Sequence, residues 1–233
     1  MGHSLYEQGL PSDWWGLEIG QAASCGIHES QSLFWEHKIC GAREFLRPWH
    51  MKFSQAFSKE LVNPDFDQFI KQTREVSPGL IRVTSDEICY SLHIIIRYEI
   101  EKKLLDGSLD VGQLPEVWND LYKSYLGLTP ENDTEGCLQD IHWAFGEFGY
   151  FPSYALGHLY SSQIAHTMKH EISLPENSPF TEQSCDSIRT WLNTNIHSKG
   201  CLFEPLDLIE HISGQPLSTK FFENYVTQKY HLS

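Results

Sequence analysis

Between Asp86 and Asp106 the apolar residues Ile88, Leu92, Ile95, Ile96, Ile100 and Leu104 fall at steps of three and four. That spacing lines them along one stripe of an α-helix and does not suit a strand, whose side chains alternate. Arg97, Glu101 and Lys102 fill the other faces. Thr84 and Glu87 have the spacing of a capping box, and Gly107 supplies a stop.

The rest of the chain repeats the pattern. Helices are predicted over Glu29 to Phe45, Leu114 to Leu126, Leu138 to Glu147, Tyr154 to His170, Thr181 to His197, Pro205 to Ile212 and Ser218 to Tyr230. Gly127, Gly200 and Gly214 follow the ends of three of them. Alternation with β-branched residues is scarce, Gly79 to Val83 being the best case. The expected fold class is all-α.

Composition narrows the function. Of 233 residues, 17 are Lys or Arg and 31 are Asp or Glu, a formal charge of −14, which argues against nucleic acid as the main partner. With 40% hydrophobic residues the chain can bury a sizeable core, and a single domain over 1–233 is favoured. No run approaches the roughly 18 apolar residues of a membrane span, because Leu92 to Ile96 is broken by His93 and followed by Arg97. Cys25, Cys40, Cys89, Cys137, Cys185 and Cys201 show no C-x-x-C spacing, and no secretory signal precedes them. They read as reduced thiols in a cytoplasmic protein. Trp14, Trp15, Trp35 and Trp49 read as core.

Nucleotide-binding glycine loops, a nucleophile elbow and a complete His-Glu-x-x-His are all missing. What remains is His3, a turn or so before a helix stop at Gly9, and Glu29 at the start of the next helical stretch. A His and a Glu on neighbouring helices can converge on one zinc ion, although such residues are more often solvated or hydrogen-bonded. His28, adjacent to Glu29, points about 100° away around a helix and suits a supporting role rather than ligation of the same ion.

Longer motifs surround these residues. Met1 to Leu10, reading Met-Gly-His-Ser-Leu-Tyr-Glu-Gln-Gly-Leu, resembles the tail of the zinc motif of the carboxypeptidase Taq family. His28-Glu29-Ser30-Gln31-Ser32 resembles that family's second motif, whose Glu is a zinc ligand. Ile81 to Asp86 is similar to its Ile-Arg-x-x-Ala-Asp motif, with Ser85 for the usual Ala. Gly136 to Trp143 matches Gly-x-x-Gln-Asp-x-His-Trp at every fixed position. The motifs come in family order, and the similarity runs on to Lys229-Tyr230.

The resemblance implies part of a mostly helical, two-lobed, gluzincin-like metallopeptidase, usually a homodimer, with the N-terminal half missing. It implies removal of single C-terminal amino acids from peptides by a zinc-activated water. On that pattern His3 and Glu29 are metal ligands, and Arg82 holds the substrate's terminal carboxylate, a task for which a planar guanidinium is suited. His142 with Tyr154, or second Tyr150, donates to the oxyanion. Gln139, Asp140, Asp86 and His28 support them. Each has a plainer alternative: Arg82 pairs with Asp86 or a neighbouring acid, His142 is a buried core histidine with Asp140 as its partner, and the two tyrosines are packing residues.

Against the family pattern, this chain opens at the third residue of the zinc motif. The first zinc His and the general-base Glu would fall before Met1. With two ligands instead of three, zinc affinity is expected to be weak, and a general base typically contributes roughly 10²–10⁴-fold. The expectation is a chain inactive by itself, either completed by its N-terminal half or a decayed fragment. A third reading makes it a non-catalytic binder of peptide C-termini. A lobe separated from the rest is also expected to expose apolar surface and associate.

Overall fold

The computed structural model describes residues 1–57, 65–175 and 178–232. Ten α-helices are present among them: α1 Gly2–Gly9, α2 Cys25–Leu33, α3 Arg43–Ala56, α4 Phe66–Thr73, α5 Glu87–Leu105, α6 Leu114–Leu126, α7 Pro152–Glu171, α8 Glu182–Asn195, α9 Pro205–Ser213 and α10 Lys220–Tyr230. No strand occurs among the described residues, so the architecture is all-α. The chain divides into two compact units, one of residues 75–155 and one of residues 1–74 with 156–233.

The smaller unit is built on α5 and α6. Asp86 starts α5: its Oδ1 accepts from the Ile88 and Cys89 amides, both at 2.9 Å. The Thr84–Glu87 capping box is therefore replaced by a cap one residue before the helix, of a kind worth about 1 kcal/mol. Gly107 follows the other end at φ 76°. Ile96 and Ile100 are fully buried against Trp118, Tyr122 and Leu126 of α6, each contributing about 1.5–3 kcal/mol. Ile95, expected on the apolar stripe, is 39% exposed, whereas Arg97 and Glu101 are buried.

Two expectations fail here. Gly79 to Val83 forms no strand, and a 3₁₀ turn covers Arg82–Thr84. Leu138 to Glu147 forms no α-helix; turns lead into a 3₁₀ turn at Trp143–Phe145, closed by Gly146 at φ 77°. That left-handed residue ends the turn at little cost because glycine has no Cβ.

The larger unit packs α2, α7, α8 and α9 around Ile27, Phe34, Ile164, Met168, Ile188, Leu192 and Leu208. The helix expected from Glu29 to Phe45 is three pieces. Ser24 caps α2 by accepting from the Ile27 amide at 3.1 Å; a π-helical stretch covers Phe34–Cys40; and α3 starts after Gly41. Trp35 is core at 5% exposure, but Trp15 at 91% and Trp49 at 40% are not, contrary to expectation. No helix among the described residues is long and apolar enough to cross a membrane.

Candidate metal and carboxylate sites

In the larger unit, α1 and α2 lie backbone to backbone. A Cβ at Gly2 would collide with the Gln31 carbonyl, so glycine is what permits the approach. Tyr6 anchors α1 from its buried side, its hydroxyl accepting from the Ala23 amide at 3.0 Å. These contacts bring His3, the second residue of α1, over His28 and Glu29, the fourth and fifth of α2.

His3 is then oriented from both sides. Its Nδ1 stands 3.1 Å from the His28 carbonyl, and its Nε2 stands 3.4 Å from Glu29 Oε2. A carbonyl only accepts, so Nδ1 carries the proton and Nε2 keeps its lone pair, directed at the carboxylate side. This is the arrangement in which a ligating imidazole is held by its other nitrogen. Burial, the neighbouring His28 and the N-terminal amine hold the His3 pKa below its ordinary value, against the backbone hydrogen bond, and so favour the neutral form that metals bind.

His28 takes no place beside Glu29 on that pair. Its ring stacks on His3 with centroids 4.6 Å apart, and its Nε2 pairs with Glu7 Oε1 at 2.9 Å. Glu29 itself is fixed by α7: a Cβ at Gly157 would come within 3.0 Å of Glu29 Cγ and of Leu33 Cδ1. The donor set of one neutral imidazole and one carboxylate suits a divalent metal of the zinc type, for which these two side chains could serve as ligands.

In the smaller unit the remaining expected residues gather around Asp140. Arg82 donates to its Oδ1 through Nε at 3.0 Å and Nη2 at 2.6 Å, and through Nη1 to the Tyr90 hydroxyl at 2.7 Å. Asp86 is not its partner; beyond capping α5, it accepts from the Ser77 amide at 3.1 Å. Arg97, absent from the expected set, takes Oδ2 through Nε at 2.7 Å and Nη2 at 2.6 Å. Burial pushes the Asp140 carboxyl up, but the Arg82 hydrogen bonds and the charges of both arginines outweigh it and hold it below the usual range.

Gln139 completes the frame. Its Oε1 accepts from the Arg82 amide at 3.0 Å and from Arg97 Nη2 at 2.9 Å, and its Nε2 donates to the Glu135 carbonyl at 2.8 Å. Such satisfaction explains why these residues leave the helical path expected of them: their side chains are committed to the interior. His142 lies beside this frame, its Nε2 3.1 Å from the Tyr154 hydroxyl and its Nδ1 3.9 Å from Asp140 Oδ1. Burial lowers its pKa, with Asp140 acting against that. The Tyr150 ring contacts both His142 and Tyr154, at 5.6 and 5.4 Å between centroids.

Of the five N–H groups on the Arg82 side chain, three are engaged. Tyr154 lies under the guanidinium, ring centre 4.9 Å from Cζ. Arg97, by contrast, is fully enclosed, its Nη1 held by the His93 carbonyl at 2.8 Å and its plane over Trp118 at 4.7 Å. A signal for it exists in the sequence: His93, Arg97 and Glu101 recur every fourth residue, a polar stripe running beside the apolar one on the same helix.

Comparisons with known proteins place these geometries in context. A family model described as carboxypeptidase Taq (M32) metallopeptidase matches residues 1–230. Carboxypeptidase 1 of Bacillus subtilis (strain 168) is 42% identical over 230 residues, covering 98% of this chain and 46% of that protein. Thermostable carboxypeptidase 1 of Thermus thermophilus is 38% identical, covering 99% of this chain and 45% of the relative. Among solved structures, the M32 carboxypeptidase from Deinococcus radiodurans R1 superposes with a TM-score of 0.87 at 32% identity, covering 98% of this chain and 46% of the other. The chain spans about half the length of the curated relatives it matches.

Proposed function

The chain belongs to the carboxypeptidase Taq (M32) metallopeptidase family, and from that membership we propose that it carries the C-terminal part of a zinc carboxypeptidase that removes single residues from peptide C-termini. The observation that carries the metal part of this reading is the orientation of His3, with Nδ1 on the His28 carbonyl and Nε2 facing Glu29. When bound there, a zinc ion would polarise the scissile carbonyl and lower the pKa of a water.

The other roles belong to the chain's own side chains. Arg82 receives the terminal carboxylate of the peptide with its two remaining N–H groups, while Asp140 and Tyr90 keep the guanidinium plane fixed. His142 and Tyr154, already hydrogen-bonded to each other, stabilise the oxyanion by donating to it; Tyr150 is the second choice for that task. A homodimer in the cytoplasm completes the reading by resemblance.

This reading assigns two metal ligands, His3 and Glu29, and no general base among the 233 residues, so peptidase activity of this chain by itself is expected to be lacking. The test is a peptidase assay of the metal-loaded chain on an N-acylated dipeptide. No turnover is expected, with activity appearing when a segment supplying a further His ligand and a general-base Glu is added; turnover by this chain alone would overturn the assignment of those two roles.

A second reading has its own support, because the hold of Asp140 and Tyr90 on Arg82 requires no metal. It makes the chain a binder of peptide C-termini. With metal chelated, a peptide acid should bind more tightly than its C-terminal amide, and Arg82→Met should erase the difference. Equal binding of acid and amide by the unaltered chain would dispose of both this reading and the carboxylate role of Arg82.

A further inference from the structure

Helix α7 is anchored by Ile164, Ala165 and Met168, all buried, and turns His166 and His170 outward, both exposed. Four residues apart, they lie on one face of the helix, one turn above the other. Their ring centroids are 4.6 Å apart. Among the described residues, neither imidazole is hydrogen-bonded to a protein group. His166 is braced by Phe221, centroid to centroid 4.9 Å.

We propose that His166 and His170 form a surface site for a divalent late first-row metal ion, Zn²⁺ or one of its neighbours, with water filling the other positions. The pairing of His residues at i and i+4 on one helical face is the same element by which helical zinc motifs hold their ion. Two imidazole nitrogens sharing an ion at about 2 Å each stand about 3 Å apart; the rings, 4.6 Å between centroids and 71° apart in plane, are near enough to reach that spacing by turning about their exposed side-chain bonds. Burial, the mutual proximity of the two rings and the ammonium groups of Lys220 and Lys169 hold the His166 pKa down, so the ligand form prevails at neutral pH. The Lys220 ammonium is itself engaged by Gln215 Oε1 at 2.9 Å, and such exposed charges repel an ion only weakly at physiological salt. The pair takes up an ion without first giving up a hydrogen-bonded protein partner.

The site is separate from His3 and Glu29 in sequence and needs no carboxypeptidase activity to be tested. The probe is Zn²⁺ itself, titrated calorimetrically into the 233-residue chain carrying His3→Gln and Glu29→Gln, which silence the other candidate pair. One ion per chain is expected at pH 7, with binding weakening steadily as pH falls toward 5.5. His166→Gln and His170→Gln should each weaken it by more than about tenfold, since losing a ligand exceeds the 10–100-fold effect of losing a mere supporting group. The two together should add little to either alone, because chelation is already lost. Both positions are exposed, so folding is unaffected, and circular dichroism confirms it. Absence of a Zn²⁺ binding step at pH 7, or equal affinity in either single variant, would overturn the proposal.

Discussion

Arg97 holds Oδ2 of Asp140 at 2.6 Å from a side chain with no exposure to solvent. Since Arg82 holds the other oxygen at 2.6 Å, one carboxylate serves two guanidinium groups, and the trio carries a single net positive charge. An Arg82–Asp140 pair alone would be neutral and would attract an anion weakly. Arg97 thus gives the trio its net positive charge without itself needing to reach a ligand.

Arg97→Met should lower the stability of the smaller unit by about 1–3 kcal/mol, because Asp140 Oδ2 and Gln139 Oε1 lose a buried donor while Arg82 still balances the carboxylate. Replacing Asp140 as well should cost more, because Arg82 is then left buried without its counter-charge. Chemical denaturation of the single and double variants measures it. Additive losses would show that the residues do not act as a unit.

The same carboxylate dictates an acid response. Its folded pKa lies below the ordinary value, so its contribution is present above the unfolded carboxylate pKa of about 3.9 and is lost as pH falls through the folded value. Asp140→Asn should therefore lower stability at pH 7 and flatten the acid limb of the denaturation profile. An unchanged acid limb would remove Asp140 from its causes.

Much of this arrangement could be read from the residues alone, and the exceptions share a cause. Apolar periodicity located α5, and glycine positions marked its end and that of α6, because those signals act within a turn or two of chain. The motif residues around Gln139 and Asp140 were recognised, yet the stretch was expected to be helical. Its conformation is decided by Arg82 and Arg97, 57 and 42 residues away from Gln139, and no local propensity records such partners. Arg97 and Glu101 were placed on outer faces because charge normally seeks water, a rule that fails where a counter-charge or an indole donor is buried alongside; Trp143 Nε1 donates to Glu101 at 2.8 Å. Trp15 and Trp49 erred the other way, size being mistaken for burial.

Gly157 offers a test of how Glu29 is positioned. Alanine there would press within 3.0–3.1 Å of the Glu29 side chain and within 3.0 Å of Leu33, tighter than ordinary contact. Gly157→Ala should cost about 1–3 kcal/mol of stability, as overpacking does, and should weaken Zn²⁺ binding at the His3–Glu29 pair by about tenfold or more. Calorimetric titration alongside thermal denaturation separates the two effects. Unchanged metal affinity with lowered stability would mean that Gly157 serves packing alone.

Two buried histidines impose a pH dependence of their own. His197, fully enclosed with Nε2 2.9 Å from Gln31 Oε1, is pushed by burial down to about 4. His93, equally enclosed, is pushed to about 4 by burial and then by the charges of Arg97 and Arg82. In the unfolded chain each takes a proton near pH 6.5, while in the folded chain each resists until about 4. Protonation thus favours unfolding from pH 6.5 downward, by on the order of 3 kcal/mol per histidine once pH 4 is reached, and has no effect above 6.5. Denaturant midpoints measured from pH 7 to 4.5 should fall, and His197→Gln should reduce the slope. A profile flat over that range would refute the burial of both rings in neutral form.

His142 and Tyr154 can be separated from mere packing by a single oxygen. Tyr154→Phe keeps the ring beneath Arg82 and removes only the hydroxyl 3.1 Å from His142 Nε2. His142 Nδ1 is already buried without a hydrogen bond, so the variant leaves both ring nitrogens unsatisfied, at a cost of about 1–3 kcal/mol. Because the imidazole loses its one hydrogen-bonded contact while the aromatic ring stays in place, the change appears as lost stability at pH 7 rather than as lost ring packing. Tyr154→Leu, which also removes the platform under the guanidinium, should cost more than Tyr154→Phe. No loss in Tyr154→Phe beside a clear loss in Tyr154→Leu would assign Tyr154 to packing alone and pass the oxyanion role to Tyr150, whose ring also meets that of His142 at 5.6 Å.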